Sequence, residues 1–84
     1  MTTNLRSAQH RGLIATIVEA RKATGLSQRE FAAKLKRSHN FVWRVEAGKR
    51  QVNVRDFIEL AKAAGVAPDE LLNRVMRHSG RAKN

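Results

Sequence analysis

Two short polar residues, each followed three places later by a carboxylate, constrain this chain more than any other feature. Ser27-Gln28-Arg29-Glu30 and Asn53-Val54-Arg55-Asp56 both have capping-box spacing. In such a box the first side chain accepts from the helix's third amide while the acid reaches back. Glycines stand at 25, 48 and 65, where a left-handed residue would stop the preceding helix. Starts and stops this close leave room only for short helices. Ser7 is a further N-cap, for a helix to about Thr24. The helix from Ser27 runs to about Leu35, and Lys36-Arg37-Ser38 makes a turn. Ser38 caps a third helix ending at Gly48, and Asn53 caps a fourth stopped by Gly65. Pro68 suits the first position of a fifth. No strand pattern competes, so the fold class is all-α, with five helices.

The apolar residues keep the helical period. Leu13, Ile14, Ile17 and Val18 form a stripe on the first helix, where Gly12 costs about 1 kcal/mol relative to alanine and favours fraying of the first turn. Phe31, Ala32 and Leu35 are expected inside from the second helix. Phe41, Val42 and Val45 are expected inside from the third, with His39, Asn40, Trp43, Arg44 and Ala47 pointing away. The inward set of the fourth is Val54, Phe57, Ile58, Leu60 and Ala61. Leu71, Leu72 and Val75 form the stripe of the fifth. From His78 onward nothing is apolar. The expected organisation is an N-terminal arm over 1–6, one domain over 7–77 and a basic, disordered tail over 78–84.

Eighty-four residues make one small domain. The chain has no cysteine, which excludes a disulfide scaffold, a thiolate metal site and a cysteine nucleophile together. No apolar run is long enough to span a bilayer, and no signal peptide is visible behind the opening residues, so a cytoplasmic location is expected. Charge is the positive clue. The net charge is +10, with eleven bases against three acids over 1–50 and two bases against four acids over 51–70. Such a basic chain with an acidic block expects a polyanion on one face. Nucleic acid fits better than an anionic membrane, because the apolar faces have the size of a core.

Two short helices joined by a short turn, the second carrying an outward row of hydrogen-bonding residues, match a helix-turn-helix. The segment reads Gly25-Leu26-Ser27-Gln28-Arg29-Glu30-Phe31-Ala32 and later Val42-Trp43-Arg44-Val45-Glu46-Ala47-Gly48-Lys49-Arg50. These two runs, with Leu60-Ala61-Lys62-Ala63-Ala64-Gly65-Val66, resemble the lambda-repressor-like family, the Xre or Cro/C1 type of helix-turn-helix, over about residues 11–75. The resemblance implies a five-helix DNA-binding domain whose recognition helix covers about 38–47. It implies that Gln28 binds a phosphate and buttresses His39, and that Lys49 and Arg50 touch phosphates. Arg21 and Glu46 match positions that pair between the first and third helices. Lys36 stands where the family usually has glycine in the turn, Arg37 where the residue is often apolar, and Ala67 where a capping serine is common. A reshaped turn is therefore expected.

The residue chemistry sharpens these roles. Ser38, His39 and Asn40 open the recognition helix, the end that enters the major groove. Asn40 can pair with adenine N6 and N7, and Arg44 can fork onto guanine or rest on a phosphate. Trp43 reads equally as a DNA contact or as packing on a neighbouring helix. Gln28 could be an exposed residue without a role, and Lys49 and Arg50 a solvated turn. His39 as a metal ligand finds only His10 and His78 elsewhere and no acidic cluster beside them. Lys34, Lys36 and Arg37 add long-range steering charge.

No catalytic constellation is present, so no enzyme and no cofactor is expected. The leading reading is a sequence-specific regulator of double-stranded DNA that binds as a homodimer, and the resemblance implies a seam around the fifth helix, with Leu71, Leu72, Val75 and Met76 as its candidates. An antitoxin that binds a toxin and represses its own promoter is the alternative, and a non-specific nucleoid binder a third.

Overall fold

The computed structural model describes residues 7–83, with side chains through 78. The expected arm over 1–6 lies outside the described residues. Five helices follow in order: α1 Ala8–Thr24, α2 Gln28–Leu35, α3 His39–Glu46, α4 Val54–Ala63 and α5 Pro68–Lys83. Their starts are the expected ones. Ser7, Ser27, Ser38 and Asn53 each accept from the amide three residues on, and both capping boxes close. The α1 helix runs through Gly12 without interruption.

The stops share one geometry. At the ends of α2, α3 and α4 the amides of Arg37, Lys49 and Val66 reach back to the carbonyls of Ala32, Arg44 and Ala61. This is the bond that closes a left-handed helix end. Gly48 occupies the left-handed position after α3 at φ 76°, and a Cβ there would come 3.1 Å from Ile14 Cδ1. Lys36 occupies the same position after α2 at φ 60°, ψ 39°. The turn keeps its left-handed geometry instead of being reshaped, and a lysine carries a strain that glycine would not.

The core lies where α1, α2, α3 and α4 meet. Ile17, Phe31, Ala32, Phe41, Val42, Val45, Leu60 and Ala63 are buried there, with Leu13, Leu26 and Leu35 packed against them. Ala20, Ala61 and Leu71 form a second cluster between α1, α4 and α5. The α1 helix lies along α5, and α2 packs on α3.

Three expectations change. Val54 and Ile58 do not face inward: they are 75% and 37% exposed. The buried side of α4 is Asp56, Leu60, Ala61 and Ala63, so a carboxylate takes the place assigned to the two aliphatics. On α5, Leu71 and Val75 are sealed in the domain's own core, whereas Leu72 and Met76 are 51% and 63% exposed. Leu71 and Val75 therefore offer no surface to a partner. Finally, α5 passes the expected domain end at 77 and reaches Lys83.

Candidate nucleic-acid interface

The third helix is short, eight residues, and strongly two-sided. Phe41, Val42 and Val45 are buried, while Ser38, His39, Asn40, Trp43 and Arg44 are exposed. Among the described residues the side chains of His39, Asn40 and Arg44 form no hydrogen bond or ion pair. The Ser38 oxygen accepts from the Phe41 amide at 3.2 Å, which leaves its hydroxyl proton free to donate elsewhere. Trp43 is 45% exposed, and Lys49 Nζ sits 6.0 Å from its ring centroid. The indole thus borders solvent beside a cation. Arg44, Lys49 and Arg50 line one open depression of about 570 Å3 with Gln51, Val52 and Asn53.

Behind this face, Glu46 holds the far end of α3. It accepts from Arg21 Nε at 2.6 Å and Nη2 at 3.1 Å. Arg21 Nη1 also donates to the Leu26 carbonyl at 2.9 Å. The expected pair is present, with side chains only 11% and 6% exposed. Gln28, at the first position of α2, donates its amide to Glu46 Oε1 at 2.9 Å. The Gln28 side chain is thus tied to the C-terminal end of α3.

A second ionic cluster lies on the other side of α3, and sequence reasoning missed it. Asp56, its side chain 3% exposed, accepts from Arg37 at 2.7 Å through Oδ1 and from Arg50 at 3.3 Å through Oδ2. Arg37 also reaches Glu59 at 3.1 Å. The guanidinium carbons of Arg37 and Arg50 lie 4.2 Å and 4.8 Å from the Phe41 ring centroid. Burial alone would raise the Asp56 pKa. Hydrogen bonds from Arg37 and the Asn53 amide, with the charges of Arg37 and Arg50, outweigh it and hold the carboxyl below its ordinary range. The bond to Asp56, outweighing the cost of burial, raises Arg37 above its own. Arg50 is thus held to Asp56 while still lining the open depression beside Arg44 and Lys49, and Arg37 is neutralised by two carboxylates. The available signal was Arg37 itself, a charge at a position where the family is often apolar.

The sign of the surface follows. Glu46, Asp56 and Glu59 are all occupied by arginines of the chain. Among the described residues Lys36, Arg44 and Lys49 have no carboxylate within ion-pair distance, so this face stays positive. No three His, Asp or Glu side chains among the described residues come together to hold a metal, and no helix there is long and apolar enough to cross a membrane.

Comparison with known proteins agrees with this architecture. The family model described as "Helix-turn-helix domain" matches residues 15–75. A solved structure titled "XRE-family like protein from Pseudomonas syringae pv. tomato str. DC3000" superposes with a TM-score of 0.78 at 33% identity, covering 83% of this chain and 85% of the other. None of the curated protein sequences matches. With the capped helix pair, the exposed polar face of α3 and these similarities together, the chain belongs to the Xre-type family of helix-turn-helix DNA-binding regulators.

Proposed function

We propose that the protein is a sequence-specific binder of double-stranded DNA that lays α3 in the major groove and acts as a homodimer on a two-fold operator. One observation carries the reading: His39, Asn40 and Arg44 leave one face of α3 with no partner of their own, beside Lys49, while the neighbouring acids are already neutralised. Asn40 reads adenine through N6 and N7. Arg44 follows one turn later, placed for guanine. Lys49, beyond Gly48, meets a phosphate, and Trp43 offers its half-exposed ring to a thymine methyl or the sugar-phosphate backbone. Leu72 and Met76, one helical turn apart and both exposed, are the apolar pair available to a second copy.

Selection of bound duplexes from a random pool tests the reading, followed by salt titrations of Asn40→Ala and Lys49→Ala. A base contact discriminates by about 1–3 kcal/mol, whereas a phosphate contact carries no sequence information. Asn40→Ala should relax preference at one or two base pairs. Lys49→Ala should weaken all duplexes alike and flatten the log–log salt slope by about one. Equal loss on every sequence in Asn40→Ala, or a changed preferred site in Lys49→Ala, would refute the assignment.

A further inference from the structure

The Asp56 cluster does more than cap α4. Arg37 directly precedes the N-cap of α3, and Arg50 lies just past Gly48, where α3 has ended. One carboxylate at the start of α4 therefore holds the chain on both flanks of α3, through a different oxygen on each side. Phe41, on α3 itself, lies beneath both guanidinium groups.

The apolar side of α3 holds the helix against the core but only weakly fixes its tilt, because hydrophobic contact is non-directional. Charge-assisted hydrogen bonds are directional. Glu46 fixes the C-terminal end through Arg21 and Gln28. The N-terminal end, which carries His39 and Asn40, is next to Arg37, and Arg37 answers to Asp56. A polar side chain that must meet a base edge tolerates a misplacement of only about 0.5 Å. A swing of this end by more than that would therefore move Asn40 out of register.

We infer that Arg37 and Asp56 are positioning residues for DNA reading: they set the angle at which α3 presents Asn40 and Arg44, and so determine specificity without touching a base. This rests on the proposed role of α3. The pair also admits a discriminating test, because removing either partner changes the net charge in opposite directions.

Arg37→Met removes a positive charge and keeps an unbranched stem against Phe41. Asp56→Asn removes a negative charge and keeps an oxygen to cap α4. Each variant is measured well below its melting midpoint, against the best duplex selected by the wild-type protein and against random duplex. A purely electrostatic effect weakens random-duplex binding in Arg37→Met and strengthens it in Asp56→Asn. Positioning lowers the selected-to-random ratio in both, by about tenfold, the loss of one base contact. Arg37→Lys, which restores the charge without the planar fork, should recover part of that ratio. If Asp56→Asn does not fold, Arg37→Met with its lysine rescue decides alone. A ratio unchanged in the folded variants, while the wild-type protein keeps its preference, overturns the inference by itself. A wild-type protein without any preferred site overturns it together with the proposed function.

Discussion

The Arg21 guanidinium meets the Glu46 carboxylate through its Nε–Nη2 edge, two bonds of 2.6 and 3.1 Å that join α1 to α3 at a nearly buried site. Removing one partner of such a pair leaves a desolvated charge behind. Glu46→Ala should cost about 3–5 kcal/mol. It strands the Arg21 guanidinium with the Leu26 carbonyl, and Gln28 loses its acceptor as well. Thermal melting followed by circular dichroism checks this, and an unchanged midpoint would show that the pair does not hold the two helices.

Lys36 should be replaceable with profit. Its left-handed conformation costs a non-glycine residue about 1–2 kcal/mol. Glycine removes that strain but carries more conformational freedom into the unfolded chain, which offsets part of the gain. Lys36→Gly is expected to stabilise the domain by about 0.5–1 kcal/mol, raising the melting midpoint by several degrees (roughly 4–8 °C per kcal/mol for a domain of this size). Destabilisation would mean that the lysine side chain contributes more than its backbone costs.

Adjacent leucines on α5 should fail in different ways. Leu71 is 1% exposed in the monomer's own core, so Leu71→Ala should cost about 2–5 kcal/mol in urea unfolding. Leu72→Glu should leave the monomer folded, since Leu72 is 51% exposed and a glutamate there can reach water. If Leu72 and Met76 meet a second copy, Leu72→Glu should sediment as a monomer where the wild-type protein does not. It should also lose more affinity on a two-half-site duplex than on a single half-site. Wild-type protein that remains monomeric at high concentration, free and on DNA, would exclude this seam.

Asp56 gives the stability a defined response to acid. Its pKa is lowered in the folded state, so its contribution is fully present above the unfolded value of about 3.9. That contribution is lost as pH falls through the lower folded value. Below about pH 4 the wild-type midpoint should therefore drop more steeply than that of Asp56→Asn. Arg37 and Arg50 face the carboxylate, and Arg37 also meets Glu59. Parallel pH profiles for the two proteins would show that the ionised carboxylate adds nothing.

What could be read from the sequence was what is local. The caps at Ser7, Ser27, Ser38 and Asn53 act over three residues, and each appears where the spacing predicts it. The outward face of α3 was equally legible, because Phe41, Val42 and Val45 leave only one side for the polar residues. The phase of α4 was not. Val54 and Ile58 read as inward because aliphatic residues outrank an acid in any rule of burial. Asp56 goes inside only because Arg37 and Arg50 arrive from 19 and 6 positions away. Gln28 likewise meets a carboxylate 18 positions distant, a pairing set by how α2 crosses α3. On α5, consecutive leucines straddle the edge of the apolar stripe, and packing against α1 and α4 decides which one is covered.

Among the described residues the side chains of His39, Asn40 and Arg44 bond to no other, whereas Phe41, Val42, Val45 and Glu46 support a great deal. On the proposed role of α3, folding and reading are thus written on separate letters of the same eight-residue word. Descendants of this chain can exchange the outward letters and acquire new targets without passing through unfolded ancestors, because the inherited scaffold does not register the change. The inward letters enjoy no such freedom.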